Sequence, residues 1–283
     1  MNIEAVLLEP ASARIMRLIK SFGFFLTHWR TSGFHSMCRV IGERVYIRYQ
    51  EWWFGIHTEA VIQLNQLKLE HPDRRFYVPT NYHAFAAVLD RLNIQPERDV
   101  FLDFGSGLGR AVILAAMHPF RRVIGVEISA ELNQVAQQNL CRAVRRLRCR
   151  SVELITADGA TYRIPPDVTI IFLYNPFCGL VLEKVLKNIR ESLLEKPREV
   201  RLICQVPKQS AFEVDLQHQS HFTLEREERF NQNVRYLFYK ANLGFTSHPT
   251  HDAASSATGQ THSGVNRKQV DVSVPNSRLN GVM

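Results

Sequence analysis

The sequence predicts an α/β protein, a doubly wound sheet of seven strands with helices on both faces and an antiparallel hairpin at its end. Three observations carry this. From about residue 75 to 240, short β-branched runs alternate with amphipathic stretches, the pattern of a parallel sheet whose crossovers are helices. The first apolar run passes directly into a glycine-rich turn that opens a helix. The last two runs, 222–230 and 234–239, flank Asn231, Gln232 and Asn233, which reads as an antiparallel hairpin.

In chain order, the β-rich runs place parallel strands at 100–104, 123–127, 152–156, 169–174 and 200–206, and the hairpin supplies two more. Helices are expected at 82–92, 109–117, 130–146 and 180–194. Ahead of the sheet, residues 1–74 read as a helical N-terminal cap over the functional site, with helix-like stretches at 11–28 and 39–69. The second carries Tyr46, Tyr49, Trp52, Trp53 and Phe54, and large aromatics at helical spacing read as core. The basic and apolar run at 14–26 suits either a helix packed on the main domain or one lying on a membrane surface, and Gly23 weakens a long continuous helix there. Residues 75–243 form the main domain. Residues 244–283 hold hardly any large apolar side chain, so burial there cannot offset the ordering entropy, and a disordered tail is expected.

With 283 residues and 45% hydrophobic content, the chain can bury one sizeable core. Five scattered cysteines, Cys38, Cys141, Cys149, Cys178 and Cys204, have neither the spacing of a zinc site nor the density of a disulfide-stapled fold. They read as reduced thiols. The N-terminus has the wrong charge order for a signal peptide, and no run of 18 apolar residues occurs, so a cytoplasmic protein is expected. The formal charge of +8 admits a polyanionic partner. The densest basic cluster, Arg142, Arg145, Arg146, Arg148 and Arg150, falls at the end of an expected helix, where cations complement the dipole. RNA is therefore not favoured.

The glycine turn reads Asp103-Phe-Gly105-Ser106-Gly107-Leu-Gly109-Arg110. A dinucleotide fingerprint would put its third glycine at position 110, and Asp103 would repel a pyrophosphate there. An acid at that place suits a cofactor with a sulfonium and an α-ammonium group. Glu127 closes the second strand, where a carboxylate can accept both hydroxyls of a ribose, and Asp158 follows the third, placed to accept from an adenine amine. Each acid alone would read as a cap or loop residue. Three at successive strand ends are hard to attribute to capping.

From about Tyr77 to Tyr239 the chain resembles the class I S-adenosylmethionine-dependent methyltransferases, whose Rossmann-like sheet ends in an antiparallel hairpin. The resemblance implies that Asp103, Gly105, Ser106, Gly107 and Gly109 line the methionine end of S-adenosyl-L-methionine, Glu127 the ribose and Asp158 the adenine. Within the class, Phe76-Tyr77-Val78-Pro79-Thr80 followed by residues 102–110 looks like the non-SET seven-strand protein lysine methyltransferases.

The fourth strand ends Tyr174-Asn175-Pro176-Phe177, similar to the Asn-Pro-Pro-Tyr/Phe loop of amino-methyltransferases with one proline missing. The likeness implies that Asn175 and the Pro176 carbonyl accept hydrogen bonds from the substrate nitrogen. A loop that only turns the chain out of the strand is the competing reading. Tyr77, Tyr82, Tyr174 or His83 stand as candidates to assist deprotonation of an ammonium substrate, with Tyr82 and His83 also ordinary members of a helix. The expected activity is N-methylation, with a protein amine, lysine, ahead of a small molecule and RNA third. Two rivals stay open: a non-catalytic S-adenosylmethionine-binding module, and a nicotinamide-dependent oxidoreductase, against which Asp103 and Arg110 argue.

Overall fold

The structure, a computed structural model, describes residues 33–60, 62, 73, 77–175, 177–207, 221–230, 234–241 and 266–271. Its centre is β1 (Val100–Phe104), five residues all buried, because a parallel strand covered on both faces is a nearly continuous apolar run. β2 (Arg122–Glu127) and β3 (Ser151–Thr156) pair parallel to one side of it, and β4 (Ile170–Leu173) and β5 (Val200–Val206) to the other. β7 (Arg235–Ala241) runs antiparallel between β5 and β6 (Phe222–Arg229), as the hairpin signal predicts. The strand order β6-β7-β5-β4-β1-β2-β3 reverses direction at the β1/β4 boundary, and ligands of open α/β sheets bind at the carboxyl ends of strands beside such a reversal.

The two sheet faces bury separate cores. On one, Phe101, Phe172, Ile203 and Tyr236 pack with Phe85 of α2 (Tyr82–Asp90), Val112 of α3 (Arg110–Ala116) and Leu140 of α4 (Ala130–Ala143). On the other, Leu102, Phe104 and Ile171 meet Leu182, Val185 and Ile189 of α5 (Gly179–Glu195). Side-chain caps start two of the helices where the sequence offers them: Asn81 accepts from Ala84 N at 2.9 Å and Ser129 from Leu132 N at 3.2 Å. Ser129 thereby fixes α4 directly after β2.

The structure departs from the sequence expectation in three places. The helix expected at 39–69 is α1, Phe34–Phe54, and it stops at Gly55, whose φ of 67° is the left-handed geometry that ends helices. Of its aromatics only Phe54 is core, whereas Tyr46, Tyr49, Trp52 and Trp53 are exposed. In the segment expected to be disordered, Asn266–Asp271 form β8, antiparallel to β3, with Ser151 opposite Asp271 and Thr156 opposite Asn266. Its backbone groups pair with those that β3, otherwise an edge strand, presents along its outer side. The stretch expected to be helical at 11–28 lies outside the described residues. No helix among the described residues is long and apolar enough to cross a membrane.

Candidate active site

Parallel register brings the first two acids to adjacent strand ends. Asp103 lies opposite Gly125 on β2, and Glu127 ends that strand two residues further on. Both are buried, at 3% and 6% exposure. The loop between β1 and α3 is held to β2 by its own backbone, Gly105 N and Ser106 N both donating to Val126 O at 2.8 and 3.1 Å. Glu127 completes the clasp, one carboxylate oxygen accepting from Gly107 N at 2.8 Å and the other from Ser129 N at 2.9 Å.

The glycines at 107 and 109 are required by space as well as by backbone. At Gly107, with φ 53°, a Cβ would lie 2.2 Å from the ring of Tyr77; at Gly109, with φ 86°, it would lie 3.1 Å from Cβ of Ala136 on α4. The loop is thus pressed between the segment ahead of the sheet and α4. Asn139, buried on α4, adds to this by donating to Leu108 O and His57 O, both at 3.0 Å.

Electrostatically, this end of the sheet awaits a cation. Burial first, and the charge of Glu127 second, push the Asp103 carboxyl up to about 8. Burial also raises Glu127, opposed by its amide hydrogen bonds. Beside them the Ser106 hydroxyl is buried with no hydrogen-bond partner, an arrangement that folded proteins rarely leave without a purpose. Two buried acids and an unmatched hydroxyl fit the α-ammonium and sulfonium of S-adenosylmethionine better than a pyrophosphate.

Asp158, half-buried after β3, turns its own loop: its Oδ1 accepts from Ala160 N at 3.0 Å. The Asn188 amide of α5 fixes that loop from below, donating to the carbonyls of Gly159, Ala160 and Tyr162. Asn175 follows β4 with φ 41°, the one non-glycine residue with positive φ among those described. Pro176 lies outside the described residues. Phe177, expected at the chemical end, instead fills core: it is buried, with its ring edge-on to Phe104 at 6.3 Å and against Gly159. Tyr77 stands over Gly107, and its hydroxyl donates to Thr58 O at 3.0 Å. Burial holds the Tyr77 phenol far above its ordinary range, so it is a hydrogen-bonding wall and no base. Tyr82 is likewise pushed up to about 12 by burial, and His83 is exposed with its ring edge-on to Tyr46.

Residues 58–157 match the model of the family described as "Histone methylation protein DOT1". The matched stretch contains Tyr77, Asp103, the glycine loop and Glu127, and stops one residue short of Asp158. Together with the sheet topology, this match over about a third of the chain supports a class I, S-adenosylmethionine-dependent methyltransferase. Over 62 residues, 22% of the chain, this protein is 39% identical to a Caenorhabditis elegans protein named "Histone-lysine N-methyltransferase, H3 lysine-79 specific"; the stretch is 6% of that relative, so the chain spans a small part of its length. An RNA methyltransferase from Salinibacter ruber, solved in complex with S-adenosyl-L-homocysteine, is similar over 62% of this chain and 100% of its own at 22% identity and a TM-score of 0.45. A ribosomal protein L11 methylase from Lactobacillus delbrueckii subsp. bulgaricus is similar over 59% and 81%, at 14% identity and a TM-score of 0.44.

One part of the methyltransferase site escaped sequence reasoning. Arg110, the first residue of α3, is 2% exposed, and its guanidinium gathers four acceptors from the segment ahead of the sheet. Nε donates to Thr58 Oγ1 at 2.7 Å, Nη1 to Thr80 O at 2.9 Å, and Nη2 to Glu59 at 2.8 Å and Glu51 at 3.4 Å. The plane lies over the Tyr82 ring, 4.2 Å from its centroid. Thr58, itself buried, also donates to Glu51 at 2.8 Å. The clue was present: an arginine in the first turn of a buried helix needs carboxylates, and none is near in sequence.

Two expected outcomes follow for the cofactor end. Asp103→Ala and Glu127→Ala each weaken binding of S-adenosylhomocysteine in calorimetric titration by about 1–3 kcal/mol, the cost of unpaired buried polar groups; unchanged affinity in both would remove these residues from the site. The second concerns pH. Asp103 keeps its proton in the folded chain up to about pH 8, against 3.8 for the free group, so between those values its contribution to stability falls as pH rises. A cationic ligand favours the ionised acid. Binding therefore releases a proton below about pH 8 and tightens as pH climbs toward that value. Titrations in buffers of differing ionisation enthalpy read the proton directly, and heats independent of buffer would contradict the assignment.

Proposed function

We propose that this protein methylates the ε-amine of a lysine in a protein substrate. The observation that carries the reading is the match of residues 58–157 to a family described by histone methylation, over the stretch that holds the glycine loop and two of the three acids. The relative named for a histone lysine supports a protein amine ahead of a small molecule or RNA. When bound, S-adenosylmethionine supplies an electrophilic methyl on sulfur, and transfer is an in-line displacement governed by alignment. This chain's residues then have separable roles. Asp103, Ser106 and the glycine loop seat the methionine end, Glu127 the ribose and Asp158 the adenine. Asn175 at the mouth of the β1/β4 crevice orients the amine. A lysine ammonium must lose a proton before it attacks. Burial keeps the phenols of Tyr77, Tyr82 and Tyr174 protonated, so the proton leaves to water. We place the protein in the cytoplasm, a reading supported by five scattered cysteines that lack the density of a disulfide-stapled fold.

The test incubates the full chain with radiolabelled S-adenosylmethionine and separated protein, RNA and small-molecule pools, followed by peptide mass spectrometry of labelled protein. Label on lysine is expected. Label confined to RNA or small molecules would overturn the substrate assignment, and binding without transfer to any pool would leave a cofactor-binding module.

A further inference from the structure

The outward face of α1 has no part in the site, yet its composition is unlike that of a solvated helix. Val40, Ile47 and Phe54 mark the inward side, with Phe54 buried and Ile47 packed on the core. At 3.6 residues per turn, Phe34, Ile41, Val45, Tyr49 and Trp52 fall together on the opposite side. All five are exposed, from 37% at Ile41 to 74% at Trp52. Arg39 flanks this stripe on one side and Arg44 and Arg48 on the other. At its C-terminal end Tyr49 stacks on Trp53, ring centroids 6.1 Å apart, and the Arg146 guanidinium lies 4.8 Å from the Trp53 centroid. That contact brings the exposed cluster Arg142, Arg145, Arg146, Arg148 and Arg150 alongside the stripe.

Aliphatic side chains on the outermost line, Trp and Tyr at one end and arginines on both flanks are the profile of a helix lying in a bilayer interface. Apolar groups enter the acyl boundary, aromatic rings sit at headgroup level, and guanidinium groups meet lipid phosphates. A single-stranded nucleic acid would use the aromatics and arginines but would leave Phe34, Ile41 and Val45 without a role. We propose that α1 docks this protein on an anionic membrane surface, its Phe34, Ile41, Val45, Tyr49 and Trp52 stripe in the interface and the 142–150 arginines on the headgroups. The helix lies on the membrane and does not span it. This inference does not depend on the identity of the methyl acceptor.

Flotation of the full chain with vesicles tests it. The chain should float with equimolar phosphatidylcholine and phosphatidylglycerol and far less with phosphatidylcholine alone, and added salt should release it. Val45→Glu with Trp52→Glu should lower vesicle affinity by about tenfold or more. Arg145→Gln and Arg148→Gln should each lower it by about fivefold. All variants should keep the parent's affinity for S-adenosylhomocysteine, which shows that they are folded. Three results would overturn the proposal. One is flotation absent, or undiminished in the Val45/Trp52 variant. Another is binding of a single-stranded oligonucleotide by a chain that ignores vesicles. The third is a lipid-free dimer, seen by light scattering, that Val45→Glu splits, since the stripe would then belong to a second copy of the chain.

Discussion

Arg110→Met is expected to destabilise the fold by about 3 kcal/mol, measured as a shift in the urea midpoint at constant slope. The figure is the low end for breaking a buried ion pair because Glu59 is half in water while Glu51 is nearly buried, with side-chain exposures of 50% and 13%. Methionine retains the apolar stem against Tyr82, so the loss isolates the guanidinium's hydrogen bonds from its packing. Arg110→Lys should recover only part of the stability, since a single ammonium cannot serve Thr58, Thr80, Glu51 and Glu59 in a planar fork. A loss below about 1 kcal/mol in the methionine variant would show that the network contributes no more than an exposed pair. The same variant should weaken binding of S-adenosylhomocysteine, because Arg110 opens the helix that follows the glycine loop.

The other large effect is expected in turnover. Removal of the Asn175 amide should lower kcat by roughly 100-fold with little change in cofactor affinity, as the loss of an orienting hydrogen bond does. The backbone decides which variant measures this. With φ at 41°, alanine at 175 is strained by about 1–2 kcal/mol, so its effect would mix conformation with chemistry. Asn175→Gly keeps the left-handed turn and removes only the side chain. Asn175→Asp keeps size and turn preference while adding a charge that favours the unreactive ammonium. Low turnover in all three variants assigns Asn175 a chemical role. Near-normal turnover in the glycine variant, with loss confined to alanine, would reduce it to a turn residue.

The central fold was legible because its strands are buried on both sides. β1 and β5 match the expected bounds residue for residue, as apolar runs between turn signals do, and the hairpin follows from the same pattern. The position of the three acids in the fold was legible too: Asp103 and Glu127 lie at the carboxyl ends of β1 and β2, and Asp158 just beyond β3. What the sequence hid was relational. Periodicity in α1 reveals a helix with an apolar stripe, but it cannot say which side the domain occupies, so Tyr49 and Trp52 were expected inside and lie outside. β8, Asn-Arg-Lys-Gln-Val-Asp, has no apolar alternation and exists only through pairing with β3. The Arg110 contacts with Glu51 and Glu59 join residues 59 and 51 positions apart, and no local spacing encodes such pairs. Phe177 looked chemical because it follows Asn175 and Pro176, whereas the geometry turns it into the core beneath Phe104.

Arg110 also has a consequence for descent. Its cationic head is anchored by side chains and a carbonyl that precede the sheet, so Glu51, Thr58, Glu59 and the Thr80 carbonyl are expected to change only together with the residue that opens α3. A relative that replaces the arginine is released from keeping Glu51 and Thr58, and one that keeps it is not. Chimeras that exchange the front of the chain between such relatives would join two halves, each able to form its own elements, around a buried charge that only one parent could match.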